Sequence, residues 1–190
     1  MENNAPLLDR AGQLKRVAEN ILAESRLFEI LGPLGRVELI GSVRLGLVYR
    51  QDIDLLVITD EVRRAGAVEA AKALLDNGYF QTVELMDYQQ FPESDFPRGF
   101  YFGLRVPVGG DYWKLDIWYL HTNEVYTGMV MSALPRFEAA LARNPQKAVT
   151  VLQIKEAYFD GVKYRDGVKS INIYRAVFDD DIASVEEFLI

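Results

Sequence analysis

The sequence predicts an α+β fold, in which a mixed β-sheet flanked by helices is followed by a C-terminal helical subdomain. Three observations carry this. Apolar runs at 37–40, 52–58, 100–108 and 112–120 read as strands, 7–31 and 61–76 carry a helical period, and after His121 strand patterning gives way to helical spacing alone. The boundary falls between 1–122 and 123–190.

In chain order, Leu14, Val17, Ala18, Ile21, Leu22, Leu27, Ile30 and Leu31 mark one helical stripe over 7–31, ended by Gly32-Pro33. The strand to Ile40 leads into Gly41-Ser42 and a short helical or irregular segment. A second strand follows at 52–58. Thr59 or Asp60 is placed to cap a helix over 61–76, with Val62, Ala65, Val68, Ala71, Ala73, Leu74 and Leu75 as its apolar face and Asn77-Gly78 as its stop. Residues 79–86 read as a strand. Residues 89–98, with Pro92, Ser94, Asp95 and Pro97, read as a loop that Phe91 and Phe96 anchor to the core. Gly109-Gly110-Asp111 is a hairpin signal between 100–108 and 112–120. Helical spacing at 129–143, 146–158 and 173–189 completes the chain, with Pro135 and Pro145 suited to first-turn positions. Asp179-Asp180-Asp181 reads as a solvated turn or helix start, because consecutive residues do not share a face.

Composition excludes several chemistries. The 190 residues include no cysteine and one histidine, so disulfides, thiolate nucleophiles and multi-His metal sites are ruled out and carboxylates remain as metal ligands. The formal charge of −7 argues against a nucleic-acid-coating protein and makes nucleic acid an unlikely partner. The N-terminus lacks a signal-peptide pattern and no apolar run is long enough to span a bilayer, so a cytoplasmic location without membrane contact is expected.

The informative stretch is Asp52-Ile53-Asp54-Leu55-Leu56-Val57-Ile58. In a strand, Asp52 and Asp54 project from one face while Ile53, Leu55 and Val57 take the other. Two adjacent, partly desolvated carboxylates need positive charge, and a hard divalent cation, Mg2+ above all with Mn2+ as the other choice, supplies it. Gly41-Ser42 offers backbone amides and a hydroxyl to phosphate oxygens. Lys114, Asp116 and Trp118 share a face of the later strand, where Asp116 is another acid in apolar company.

The apolar strand, Gly41-Ser42, a nine-residue spacer and Asp52-Ile53-Asp54-Leu55 resemble the signature of the DNA polymerase β-like nucleotidyltransferase superfamily. Val43-Arg44-Leu45-Gly46 is similar to its small bacterial minimal and antibiotic-modifying members. The resemblance covers 37–58 and implies a nucleotidyltransferase-like sheet with a third catalytic carboxylate on a later strand. Asp116 fits that place, and Glu84 is the alternative. It further implies a transferase that binds a nucleoside triphosphate, ATP among the candidates, and moves its nucleoside monophosphate to a hydroxyl acceptor, releasing pyrophosphate.

In that reading Asp52, Asp54 and Asp116 are the catalytic and metal-binding residues. Gly41, Ser42, Arg44, Arg50 and Lys114 bind the nucleotide, and Lys155 lies where small relatives place further contacts. The acceptor is a small molecule, aminoglycoside-like given the acidic balance, or a protein side chain. The competing reading is an inactive nucleotidyltransferase-like module that binds a protein partner or a nucleotide. Apolar helical faces near the C-terminus are candidates for a homodimer or partner contact.

Overall fold

A computed structural model of the chain describes residues 5–91, 95–159 and 168–188. Five strands, β1 (Arg36–Ile40), β2 (Asp52–Thr59), β3 (Thr82–Asp87), β4 (Gly99–Val108) and β5 (Asp111–His121), form one sheet in the order β1-β2-β5-β4-β3. β2 and β5 run parallel at its centre, and every other neighbouring pair is antiparallel. A parallel pair needs a long crossover, and the chain from α4 (Arg64–Asp76) through β4 supplies it.

Strand alternation divides the side chains between two cores. Ile53, Leu55 and Val57 of β2, Phe100, Phe102 and Leu104 of β4, and Trp113, Leu115 and Ile117 of β5 pack beneath α1 (Ala5–Glu24), α2 (Leu27–Leu31) and α4. On the opposite face Ile40, Leu56, Ile58 and Leu120 pack against α5 (Val125–Arg143), α6 (Gln146–Phe159) and α7 (Ser170–Phe178). The second core covers the β1 and β2 half of that face. On the other half Glu84, Met86 and Arg105 are exposed and Tyr101 is half-buried. Among the described residues no helix is long and apolar enough to cross a membrane.

Several elements differ from expectation for local reasons. The 7–31 stripe is two helices, because Arg26 is left-handed at φ 53° and turns α2 so that Leu27 and Leu31 are both fully buried. The helix expected over 61–76 starts at Arg64 without a side-chain cap. Thr59 accepts the Glu61 amide at 3.3 Å and Asp60 accepts the Thr122 hydroxyl at 2.7 Å, so both side chains close turns at the strand end instead. The helix buries Ala67, Ala70 and Leu74, which leaves Val68 and Leu75 exposed at 54% and 60% rather than on the apolar face.

The strand expected over 79–86 begins later, at Thr82, since the Asn77 side chain accepts the Tyr79 amide at 3.1 Å and holds that stretch in a turn. Gly109 (φ 62°) and Gly110 (φ 92°) make the expected hairpin turn, a left-handed pair that glycine adopts without strain. α5 starts at Val125, earlier than 129, which leaves Pro135 in its interior rather than in its first turn. α6 begins directly after Pro145, as expected.

The helix expected over 173–189 is α7 and α8 (Val185–Phe188), separated by the acidic run. Asp179, Asp180 and Asp181 are all exposed and Asp181 is left-handed at φ 57°. Asp181 accepts from Lys147 at 2.6 Å, so the run forms a turn, as expected of it. Phe96 packs on Tyr88 (4.9 Å) and stacks on Trp118 (6.0 Å), and Phe91 meets the edge of Tyr88 at 6.5 Å, so both rings tie the loop down, Phe96 through more contacts. Pro92, Ser94 and Leu189 lie outside the described residues.

Leu55 is fully buried at the centre of the sheet. Leu55→Ala is expected to destabilise the protein by about 2–5 kcal/mol, read as a lower urea midpoint with an unchanged slope.

Candidate active site

The parallel register of β2 and β5 sets Asp52 opposite Lys114 and Asp54 opposite Asp116. The second face of the sheet therefore carries all three acids at one spot. One carboxylate oxygen from each of Asp52, Asp54 and Asp116 lies within 4.8 Å of the others. Glu84 shares their face but pairs with Gly103, which pairs in turn with Asp116, so it stands two strands away and outside this cluster.

Burial makes the cluster electrostatically costly. The Asp54 carboxyl is pushed above the ordinary carboxylate range by burial and then by the charges of Asp52 and Asp116. Asp52 moves the same way, through burial and then Asp116. The Asp52 Oδ1 atom is buried with no hydrogen-bond partner among the described residues. An all-oxygen donor set, a partnerless carboxylate oxygen and uncompensated negative charge together fit a hard divalent cation such as Mg2+ or Mn2+.

Gly41 opens the segment that follows β1, the short helix α3 (Gly41–Leu45). Its φ of 65° lies in the left-handed region, and a Cβ there would stand 2.4 Å from Asp54 Oδ2. Glycine is therefore needed twice over, for the backbone bend and for room beside the acid. Ser42 lines a cavity of about 180 Å3 with Tyr49, Arg50, Asp52, Lys155, Lys169 and Ser170.

Three cationic side chains thus border a cavity with Asp52 at its edge. Lys155 is 1% exposed, and its ammonium donates to the Leu47 carbonyl and to the Tyr174 hydroxyl, both at 2.8 Å. Burial pushes its ammonium down to about 7, with Asp54 and Asp52 pulling it up. Arg50 donates to the Phe159 carbonyl at 2.6 Å and lies 4.6 Å over the Phe159 ring.

Lys114 lies across the cluster and donates to Asp116 Oδ2 at 2.9 Å. Burial lowers its pKa, but the bond to Asp116 and the charges of Asp116, Asp52 and Asp54 outweigh that and raise it. Arg44 is directed elsewhere. Its guanidinium donates to Glu138 at 2.7 Å and to Glu38 at 3.2 Å, tying α3 to α5 and β1, and it does not line the cavity. His121 accepts the Asn123 amide on Nδ1 at 3.0 Å and caps the end of β5.

No family model matches the sequence, and no curated protein matches it either. Solved structures do. Terminal uridylyl transferase 4 from Trypanosoma brucei with bound UTP superposes with a TM-score of 0.55 at 14% identity, over 90% of this chain and 53% of that one. A cytoplasmic RNA terminal U-transferase gives 0.54 at 14% identity, over 86% and 46%. The Cid1 poly(U) polymerase gives 0.53 at 15% identity, over 86% and 48%. The fold is that of the nucleotidyltransferases. The chain spans about half the length of these structures, and at such identities the likeness is one of fold.

Sequence reasoning missed several residues that this nucleotidyltransferase fold brings to the site. Tyr101 on β4 donates its hydroxyl to Asp116 Oδ1. Tyr126 on α5 is raised to about 12 by burial and then by Asp54 and Asp116. Lys169 and Ser170 reach the cavity from the start of α7. Only Tyr101 left a signal, since a two-residue turn at Gly109-Gly110 fixes the pairing of Tyr101 with Trp118 and of Gly103 with Asp116. The others depend on helix packing that no local pattern reports.

Two outcomes are expected. Gly41→Ala imposes roughly 1–2 kcal/mol of backbone strain and displaces Asp54, so it should lower the melting temperature and abolish Mg2+ binding in calorimetric titration. Asp54→Asn should raise the stability of the metal-free protein in a pH-dependent way. Below about pH 3 Asp52 and Asp54 are protonated in both the folded and the unfolded chain and wild-type stability is intact. As pH rises from there toward the raised folded values, the unfolded chain ionises first and that stability is lost. Melting curves should therefore coincide at about pH 3 and favour the variant at pH 8, by on the order of a few kcal/mol. Added Mg2+ should invert the order.

Proposed function

We propose that this chain transfers a nucleoside monophosphate from a nucleoside triphosphate to a hydroxyl acceptor, with release of pyrophosphate. The observation that carries the reading is the convergence of Asp52, Asp54 and Asp116 beside a cavity bordered by Arg50, Lys155 and Lys169. A carboxylate triad next to a cationic cavity suits a triphosphate placed with its α-phosphate over the acids. The fold shared with terminal uridylyl transferases supports the same reaction class.

A bound Mg2+ or Mn2+ would be held by Asp52, Asp54 and Asp116, and would neutralise phosphate charge and acidify the acceptor hydroxyl. The chain's own groups do the rest. Ser42, Lys155 and Lys169 bind the β- and γ-phosphates and orient the leaving group for in-line departure. Arg50 adds a guanidinium at the mouth of the cavity. Asp116 takes the acceptor proton, and Lys114 holds it in position. Residues 1–122 supply the acids, and 123–190 close the cavity through Lys155, Lys169 and Ser170.

The structures named above include an RNA terminal U-transferase and a poly(U) polymerase. For this chain the charge of −7 favours a neutral or cationic acceptor, whether a small molecule or a protein side chain, over a polyanion. The acid triad favours catalysis over a purely binding module, since a partner-docking surface gains nothing from buried, mutually repelling carboxylates.

Calorimetric titration with ATP, GTP, CTP and UTP, each with and without Mg2+, tests the reading. Metal-dependent binding of at least one triphosphate is expected, and it should be lost in Asp52→Asn while the melting transition persists. Absence of binding for all four would overturn the proposal.

A further inference from the structure

The β3 and β4 half of that second face holds another feature. Across the strands run Glu84, Gly103, Asp116 and Asp54 in direct register. Gly103 leaves a gap in that row. Tyr101, on the same face of β4, leans into it, because a Cβ at Gly103 would lie 3.1 Å from the Tyr101 hydroxyl and 3.1 Å from Glu84 Oε2. The ring packs on Trp118 at 5.1 Å, and the hydroxyl donates to Asp116 Oδ1.

The other oxygen of Asp116 is held by Lys114. The tyrosine hydroxyl therefore sits on the free side of the carboxylate that takes the acceptor proton. It also stands beside the acid cluster, since Asp116 and Asp54 are directly paired.

We propose that Tyr101 is itself an acceptor, so that the chain nucleotidylates its own Tyr101 hydroxyl. The inference rests on the nucleotidyl-transfer reading. The Tyr101 oxygen attacks the α-phosphorus, the bond from that phosphorus to the oxygen bridging the β-phosphate breaks, pyrophosphate leaves, and the phenolic proton passes to Asp116. The product is an aryl phosphodiester, and no other reactant is consumed. Once esterified, Tyr101 fills the approach to Asp116. The modification is thus limited to one nucleotide per chain and shuts the site to external acceptors.

Incubation of the purified protein with Mg2+ and each triphosphate, followed by intact-mass and peptide-mapping measurements, tests this. The expected result is an added mass of one nucleoside monophosphate on Tyr101, with label entering from the α-phosphate and not from the γ-phosphate. The adduct should vanish in Tyr101→Phe and in Asp54→Asn. It should persist in Tyr112→Phe, which alters an exposed tyrosine of β5.

A second readout needs no turnover. With Mn2+ and a non-transferable α,β-methylene triphosphate, the Tyr101 ring resonances should be strongly broadened. An unmodified Tyr101 under conditions where calorimetry shows metal-dependent triphosphate binding overturns the inference and leaves the transfer reading standing. So does an adduct confined to another residue, or a Tyr101 ring that bound Mn2+ does not broaden. If no triphosphate binds at all, the transfer reading itself falls and this inference falls with it.

Discussion

The parallel pairing of β2 with β5 is the constraint on which the site depends. Parallel neighbours in direct register put Asp54 beside Asp116, and strand alternation adds Asp52 on the same face. The opposite faces of the same strands supply Ile53, Leu55, Ile117 and Trp113 to the first core. The strands that bring the acids together are therefore held by apolar packing that does not involve the acids. Repulsion among carboxylates is tolerated because fully buried neighbours fix the backbone from behind.

The surrounding elements read as responses to that repulsion. Lys114 neutralises Asp116 from one side, Tyr101 donates to it from the other, and Lys155 brings an ammonium toward Asp52 and Asp54 from the second core. Asp52 Oδ1 remains without a protein partner among the described residues. The compensation is thus partial, and the cluster left over fits a hard cation. Arg44 serves another purpose, since its bonds to Glu38 and Glu138 fasten α3 between β1 and α5 and so fix where Gly41 and Ser42 stand.

Much of this was legible in the sequence, for reasons that can be stated residue by residue. Asp52-x-Asp54 in an apolar strand reports its own face through the two-residue period, and Gly109-Gly110 reports a hairpin through the turn it needs. Strand order was not legible, because pairing β2 with β5 joins residues far apart in the chain. The break at Arg26 left no signal either, since arginine adopts left-handed backbone only where packing imposes it, whereas the turn between α7 and α8 showed in the acidic run Asp179-Asp180-Asp181. Arg44 and Arg50 looked alike in the spacer. Their fates diverged because Glu138 belongs to a helix whose position no local pattern encodes.

Lys155 draws a directional consequence from its burial. An ammonium has three N–H bonds, and here two are committed, to the Leu47 carbonyl and to the Tyr174 hydroxyl. Those two bonds fix the rotation of the group about its Cε–Nζ axis, so the remaining proton has one direction open to it. A flexible surface lysine must lose rotamer freedom to meet a phosphate oxygen, whereas this one has lost it on folding. The N–H that Lys155 has left is accordingly aimed before any anion arrives, which a surface lysine's is not.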